Sequence, residues 1–257
     1  MGKTDLRALG LGLVGIWAAA CGGPQPGVET QTSAITIDNA LTANALTANA
    51  LTANALTANA LTANALTANA LTANGLKDPL ARELMKYVVS CALPAEETLS
   101  MSIDGVSYSF PGGLGLAPGW GQPGGSCDQS CQRWVSGCVL GRVDFLGVQE
   151  EISERGANLA LRVSWDELRD YPADEATYFG NIFAAGQPMF ACLAPGKTEI
   201  PRVCGPSLDN CPMTVVGSCA KACSYQGLVG GYVDCSSSGK ARKPEIYHES
   251  VTVFLPR

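Results

Sequence analysis

A five-residue word, Leu-Thr-Ala-Asn-Ala, is spelled seven times without a break over 41–75, the last copy closing on Asn74-Gly75. No ordinary element accommodates that period. On an α-helix each residue advances about 100°, so leucines five apart drift by roughly 140° and draw no stripe. On a strand, an odd period sends successive leucines to opposite faces. A coil that completes one side every five residues points all of them inward. Leu41, Leu46, Leu51, Leu56, Leu61, Leu66, Leu71 and Leu76 would then fill about two turns of a four-sided solenoid. A neutral, flexible spacer is the second reading, spanning on the order of 30 Å as a coil and about 115 Å extended. On either reading 41–76 is a stalk.

The run resembles the pentapeptide-repeat family, whose members form four-sided β-helices. Before it, residues 1–20 read as a signal peptide: Lys3 and Arg7 give a positive start, and 8–19 form an apolar core too short to span a bilayer. Ala18-Ala19-Ala20-Cys21 resembles the bacterial lipoprotein box, which implies lipidation of Cys21 and a new N-terminus there. Ordinary cleavage after Ala-x-Ala, giving a secreted soluble protein, is the alternative. Residues 21–40, opening Gly22-Gly23-Pro24, read as a tether.

Cysteine parity agrees with lipidation. The chain has eleven cysteines; setting Cys21 aside leaves Cys91, Cys127, Cys131, Cys138, Cys192, Cys204, Cys211, Cys219, Cys223 and Cys235. An even set in an exported chain reads as a disulfide framework, with on the order of 900 pairings open. Zinc is the rival, disfavoured by a single histidine and the lack of a C-x-x-C. Losing Lys3, Arg7 and Asp5 with the leader takes the formal charge from −6 to −7. An acidic exported chain without a basic run argues against nucleic acid and against electrostatic docking on anionic lipid.

Residues 77–257 suit one domain with a real core. Asp78 as cap, Pro79 at the first position and Pro94 beyond the end predict a helix over 78–92, with Leu80, Leu84, Tyr87, Val88 and Cys91 on one face. Leu99, Met101 and Ile103, then Asp104-Gly105, then Val106, Tyr108 and Phe110, predict a hairpin with a type I′ turn. A glycine- and proline-rich loop around Trp120 follows. Ser126 is expected to cap a helix over 126–145, with Cys127, Cys131, Trp134, Cys138 and Phe145 on its core face, making it the hub of the bridges; Gly137 and Gly141 weaken it. Gly125-Ser126-Cys127-x-x-x-Cys131 is echoed at Gly217-Ser218-Cys219-x-x-x-Cys223. Ser164-Trp165-Asp166-Glu167 predicts a capped helix ending near Tyr171-Pro172. Strands are expected at 178–183, 189–193 and 251–255, and Cys204 and Cys211 bracket a turn-rich loop. The fold class is a small disulfide-stapled α+β domain.

No motif here specifies a reaction. Residues 191–198 resemble a phosphate-binding loop, but Pro201 follows Thr198 too soon for the helix that chemistry requires. Ser237 stands three before Lys240, as in some acyl-transfer enzymes, in a polar loop with no second motif. His248 is alone. Asp166/Glu167 and Asp174/Glu175 are adjacent carboxylates, more often caps or solvated groups than an acid/base pair. Trp120, Trp134 and Trp165 offer a groove lining for sugar or peptide. No catalytic residue, cofactor or metal ligand is assigned.

As a whole the chain resembles cysteine-rich lipoproteins of myxobacterial type, which join a leader, Asn-Ala-Leu-Thr-like repeats and a cysteine-rich head. The resemblance implies a location in the cell envelope, anchored by lipid to the membrane, the outer membrane by preference. The expected role is binding or structural, with envelope glycan or protein as partner. An extracellular hydrolase with a site assembled from scattered residues is the alternative.

Overall fold

The computed structural model describes residues 35–36, 40–42, 45, 75–120, 126–184, 186–228, 230–237 and 244–257. Cys21 and the interior repeats lie outside them. Two short strands come first, β1 (Ile35–Thr36) and β2 (Leu41–Thr42). After a 3-10 turn at Gly75–Lys77, α1 (Pro79–Ala92) starts where its signals place it: Asp78 accepts the Leu80 amide at 2.9 Å and Pro79 opens the helix. Leu84, Tyr87, Val88 and Cys91 are buried, as their spacing requires. The hairpin follows, β3 (Thr98–Ile103) pairing with β4 (Val106–Pro111) around Asp104-Gly105, whose φ values of 51° and 82° fit the type I′ turn. Trp120, in the loop beyond, is buried.

The second helix departs from expectation. α2 (Gln129–Gly141) is capped by Asp128, which accepts the Cys131 amide at 2.9 Å, and not by Ser126. It ends at Gly141, and the chain continues extended as β5 (Val143–Asp144). The expected face is displaced too: Cys127 precedes the helix, Trp134 is only partly buried, and Phe145 is 39 % exposed beyond its end. Val135, Cys138, Val139 and Leu140 point inward instead. The reason lies in the two glycines. A Cβ on Gly137 would stand 3.0 Å from Val251 Cγ2, and one on Gly141 would stand 3.0 Å from both Glu154 Oε1 and Val253 Cγ2. They give the helix a bare stripe on which the sheet closes, and this stripe sets its roll.

The rest of the chain builds that sheet and its covers: β6 (Ile152–Arg155), α3 (Trp165–Asp170), β7 (Ala173–Gly180), β8 (Met189–Leu193), α4 (Pro201–Cys204), β9 (Thr214–Ser218), α5 (Cys219–Ala222), β10 (Ser224–Gln226), β11 (Gly231–Val233), β12 (Cys235–Ser236), β13 (Ile246–Tyr247) and β14 (Ser250–Leu255). Six strands pair in the order β1-β6-β14-β7-β8-β9, antiparallel except for β8 with β9. The strand expected at 178–183 runs earlier, because the Ile182 amide leaves the ladder to donate to Ser136 Oγ on α2 at 3.0 Å. Alternation splits the sheet between two cores. Ala176, Tyr178, Ala191, Val251 and Val253 join the helices in the larger one. Phe179 and Cys192 meet Cys219, Tyr232, Cys235 and Tyr247 in a smaller one.

All ten cysteines of the head pair, as Cys91–Cys138, Cys127–Cys131, Cys192–Cys219, Cys204–Cys211 and Cys223–Cys235. The first ties α1 to α2 and two others knit the smaller core. α2 is a hub only in part: one of its bridges leaves the helix, and the other closes on its own first turn. The two Gly-Ser-Cys-x-x-x-Cys words are wired differently, since Cys127 bonds Cys131 whereas Cys219 and Cys223 take distant partners. The result is a mixed α+β domain stapled by five disulfides.

Candidate functional site

A cleft of about 600 Å³ opens where β5, the start of β7, the turn after β8, α4 and the end of β14 meet. Its floor is a buried ion pair. Arg202 Nε donates to Glu175 Oε1 at 2.9 Å and Nη2 to Glu175 Oε2 at 2.5 Å. The remaining guanidinium protons reach the Val143 carbonyl at 2.8 Å and the Gly141 carbonyl at 3.0 Å, the latter at the negative end of α2. Tyr178 donates its hydroxyl to Glu175 Oε2 at 3.1 Å. Burial, then the charge of Glu175, push the Tyr178 phenol well above its usual range. Burial works against the charge on Arg202, but the Glu175 carboxylate outweighs it and holds the guanidinium above its ordinary value.

Behind the floor, Arg142 Nε donates to Glu154 Oε2 at 3.1 Å and Nη1 to Ser90 Oγ at 2.8 Å. Burial raises the Glu154 carboxyl despite Arg142 and Arg202. Two arginines and two glutamates thus alternate inside the domain, a neutral array whose members compensate one another's desolvation.

The wall is acidic, and the rim mixes charged with apolar side chains. Asp144 is buried and accepts the amides of Leu146 and Val148, each at 2.9 Å, which folds 144–148 into a fixed turn. Glu150 and Glu199 stand exposed at the mouth with Lys197. Four carboxylates therefore face two cations, leaving the cleft net negative. Leu146 is 78 % exposed and Val148 50 %, and Leu255 lies alongside.

Some residues singled out in the sequence meet here and others do not. Asp174 and Glu175 part company: β7 and β14 slip register between Val253 and Phe254, Glu175 is the extra residue, and the bulge turns it to Arg202. Asp174 instead lies near Arg155, with Oδ1 buried and without a hydrogen-bond partner among the described residues, and burial pushes its carboxyl up to about 6. Lys197 joins the cleft from the phosphate-loop-like stretch. That stretch is strand and turn, Cys192 within it is bridged, and the next helix is the single turn of α4.

Asp166 is exposed and pairs with Arg169 at 3.0 Å. Glu167 is buried; its amide donates to the capping Ser164 Oγ at 3.2 Å and its carboxylate accepts from Ser153 Oγ at 2.5 Å. His248, just after β13, is exposed and contacts Asp234, between β11 and β12, at 2.5 Å between Nδ1 and Oδ1. Ser237 Oγ accepts the Glu245 amide at 3.0 Å, and Lys240 lies outside the described residues. Of the three tryptophans, Trp165 is 88 % exposed, Trp120 is buried and Trp134 partly so; no shared groove results. The sulfurs of Cys192, Cys223 and Cys235 converge within 4.8 Å, yet each is in a bridge and offers no thiolate to a metal. Arg202, Asp144 and Glu199 carried no signal in the sequence beyond being charged.

Five bridges mark a domain matured in an oxidising, extracytoplasmic space. Among the described residues no helix is long and apolar enough to cross a membrane. No protein-family model, curated protein or solved structure matches the chain.

Proposed function

We propose that the chain is a lipid-anchored envelope protein, acylated at Cys21, whose head binds a protein segment of mixed basic and apolar side chains without turning it over. The cleft carries this reading. A lysine or arginine entering it meets an excess of fixed negative charge, and an apolar neighbour covers Leu146 and Val148. Glu175 is held by Arg202 and Asp144 by backbone amides, so these carboxylates shape the site and do not relay protons. Glycan is the weaker partner, since the stacked aromatic groove it favours is not formed.

Calorimetry of the full mature protein against paired peptides, identical in apolar pattern but basic or acidic, tests this. The basic peptide alone should bind, more weakly as salt rises. Glu199→Gln should loosen it about two- to fivefold, the scale of an exposed charge pair. Equal binding of both peptides would sink the reading. Mass spectrometry of the mature chain tests the anchor, and an unmodified Cys21 would remove that half.

A second reading, an extracellular hydrolase, rests on Asp174, whose carboxyl near 6 suits general acid/base work close to neutral pH. A turnover screen with Asp174→Asn, His248→Ala and Asp166→Ala separates the two readings.

A further inference from the structure

The first copy of the repeat is built into the head. Leu41 and Ala45 are fully buried. β2 lies parallel to β5, with Leu41 opposite Val143 and Thr42 opposite Asp144. The Leu41 amide donates to the Arg142 carbonyl at 3.2 Å and the Thr42 amide to Glu83 Oε1 on α1 at 2.8 Å. Thr42 Oγ1 accepts the Ala45 amide at 3.2 Å, and its methyl would touch, at 3.1 Å, a Cβ placed on Gly147. The groove between α1, β5 and the Gly147 turn therefore takes a leucine, the methyl of the threonine after it and an alanine four residues after the leucine, while the threonine hydroxyl closes a turn within the unit itself.

Each of these features recurs in every later copy that keeps the full word, beginning with Leu46, Thr47 and Ala50. We propose that the groove is a binding site for the Leu-Thr-Ala-Asn-Ala unit as such, and that later copies of the same chain, residues 46–50 first, exchange with the first copy in it. Among the described residues, no contact in the groove distinguishes one copy from another. Only chain connectivity does.

Upstream, four residues link Thr36 in β1 to Leu41; downstream, thirty link Ala45 to Leu76, which is itself buried in the core. Moving the register by one copy lengthens the first link to nine residues and shortens the second to twenty-five. For freely closing links, a three-halves-power dependence on length would disfavour the new register by only about 2.5-fold. The two registers after that lie within about fourfold of the first on the same scaling. Intramolecular supply of the next copy, at an effective concentration in the millimolar range, favours exchange within one chain over capture from another.

Leucine deletion in two backgrounds reads this directly. In the full mature chain, Leu41→Ala should lower the folding equilibrium constant in urea by less than about threefold, because Leu46 takes its place. In a background where Leu46, Leu51, Leu56, Leu61, Leu66 and Leu71 are all changed to alanine, the same substitution should lower it by about 30-fold or more, or abolish folding, as for an ordinary buried leucine. Leu76→Ala, downstream of the last copy, should show the large loss in both backgrounds. An equal loss for Leu41→Ala in the two backgrounds would overturn the proposal. So would a concentration-dependent dimer of the Leu41→Ala chain in light scattering, which would assign the replacement unit to a second molecule.

Discussion

Asp174→Asn probes the electrostatics where β7 bulges. Asp174 is partly buried, its Oδ1 has no hydrogen-bond partner among the described residues, and burial, with a smaller push from Glu175, raises its carboxyl from the ordinary 3.8 to about 6 against the pull of Arg155 and Lys197. A folded-state value above the unfolded one means that the stability this group provides is complete below about 3.8. That stability is lost as pH rises through about 6. Two units of difference correspond to ~3 kcal/mol for a group wholly out of water. Asp174 still meets solvent, so the expected effect is ~1–2 kcal/mol.

Asparagine has nearly the same shape and does not titrate. The variant should gain most of that amount on the parent between about pH 4 and pH 6, and little more up to pH 8. Urea unfolding with the bridges intact, repeated at unit steps of pH, gives the difference directly. A difference that is flat with pH would refute the reasoning. A variant that falls behind the parent as pH rises would show that attraction to Arg155 outweighs desolvation.

Arg202→Met should destabilise the protein by ~3–5 kcal/mol in the same assay, because Glu175 would be left buried without its cation. Adding Glu175→Gln should restore a substantial part of that loss, and no recovery would mean that packing dominates over charge. Gly137→Ala should cost ~1–3 kcal/mol despite the better helix propensity of alanine, since its Cβ would press on Val251 Cγ2 at 3.0 Å and on the Tyr178 carbonyl at 3.2 Å. A stabilised variant, read from its thermal midpoint, would show that helix and sheet have room to part.

The sequence by itself determined what a few neighbouring residues decide. Asp78 and Pro79 start α1 because a cap and a fixed φ act within one turn. Asp104-Gly105 sets the register of the hairpin because both residues tolerate positive φ. The even cysteine set announced a bridged head for the same kind of reason: it is a count, independent of geometry. Tertiary structure alone decided which sulfurs meet, where α2 begins and which way it faces. Asp128 and not Ser126 is the cap, and the roll of the helix follows Gly137 and Gly141, which lie against Val251 and Val253 of β14 more than a hundred residues away. The cleft belongs to the same class, since Asp144, Glu175 and Arg202 come from three elements and Glu199 from a loop, and one bulge turns Glu175 to its partner. Burial and charge pairing between residues distant in the chain are properties of their arrangement in space, and no local pattern encodes them.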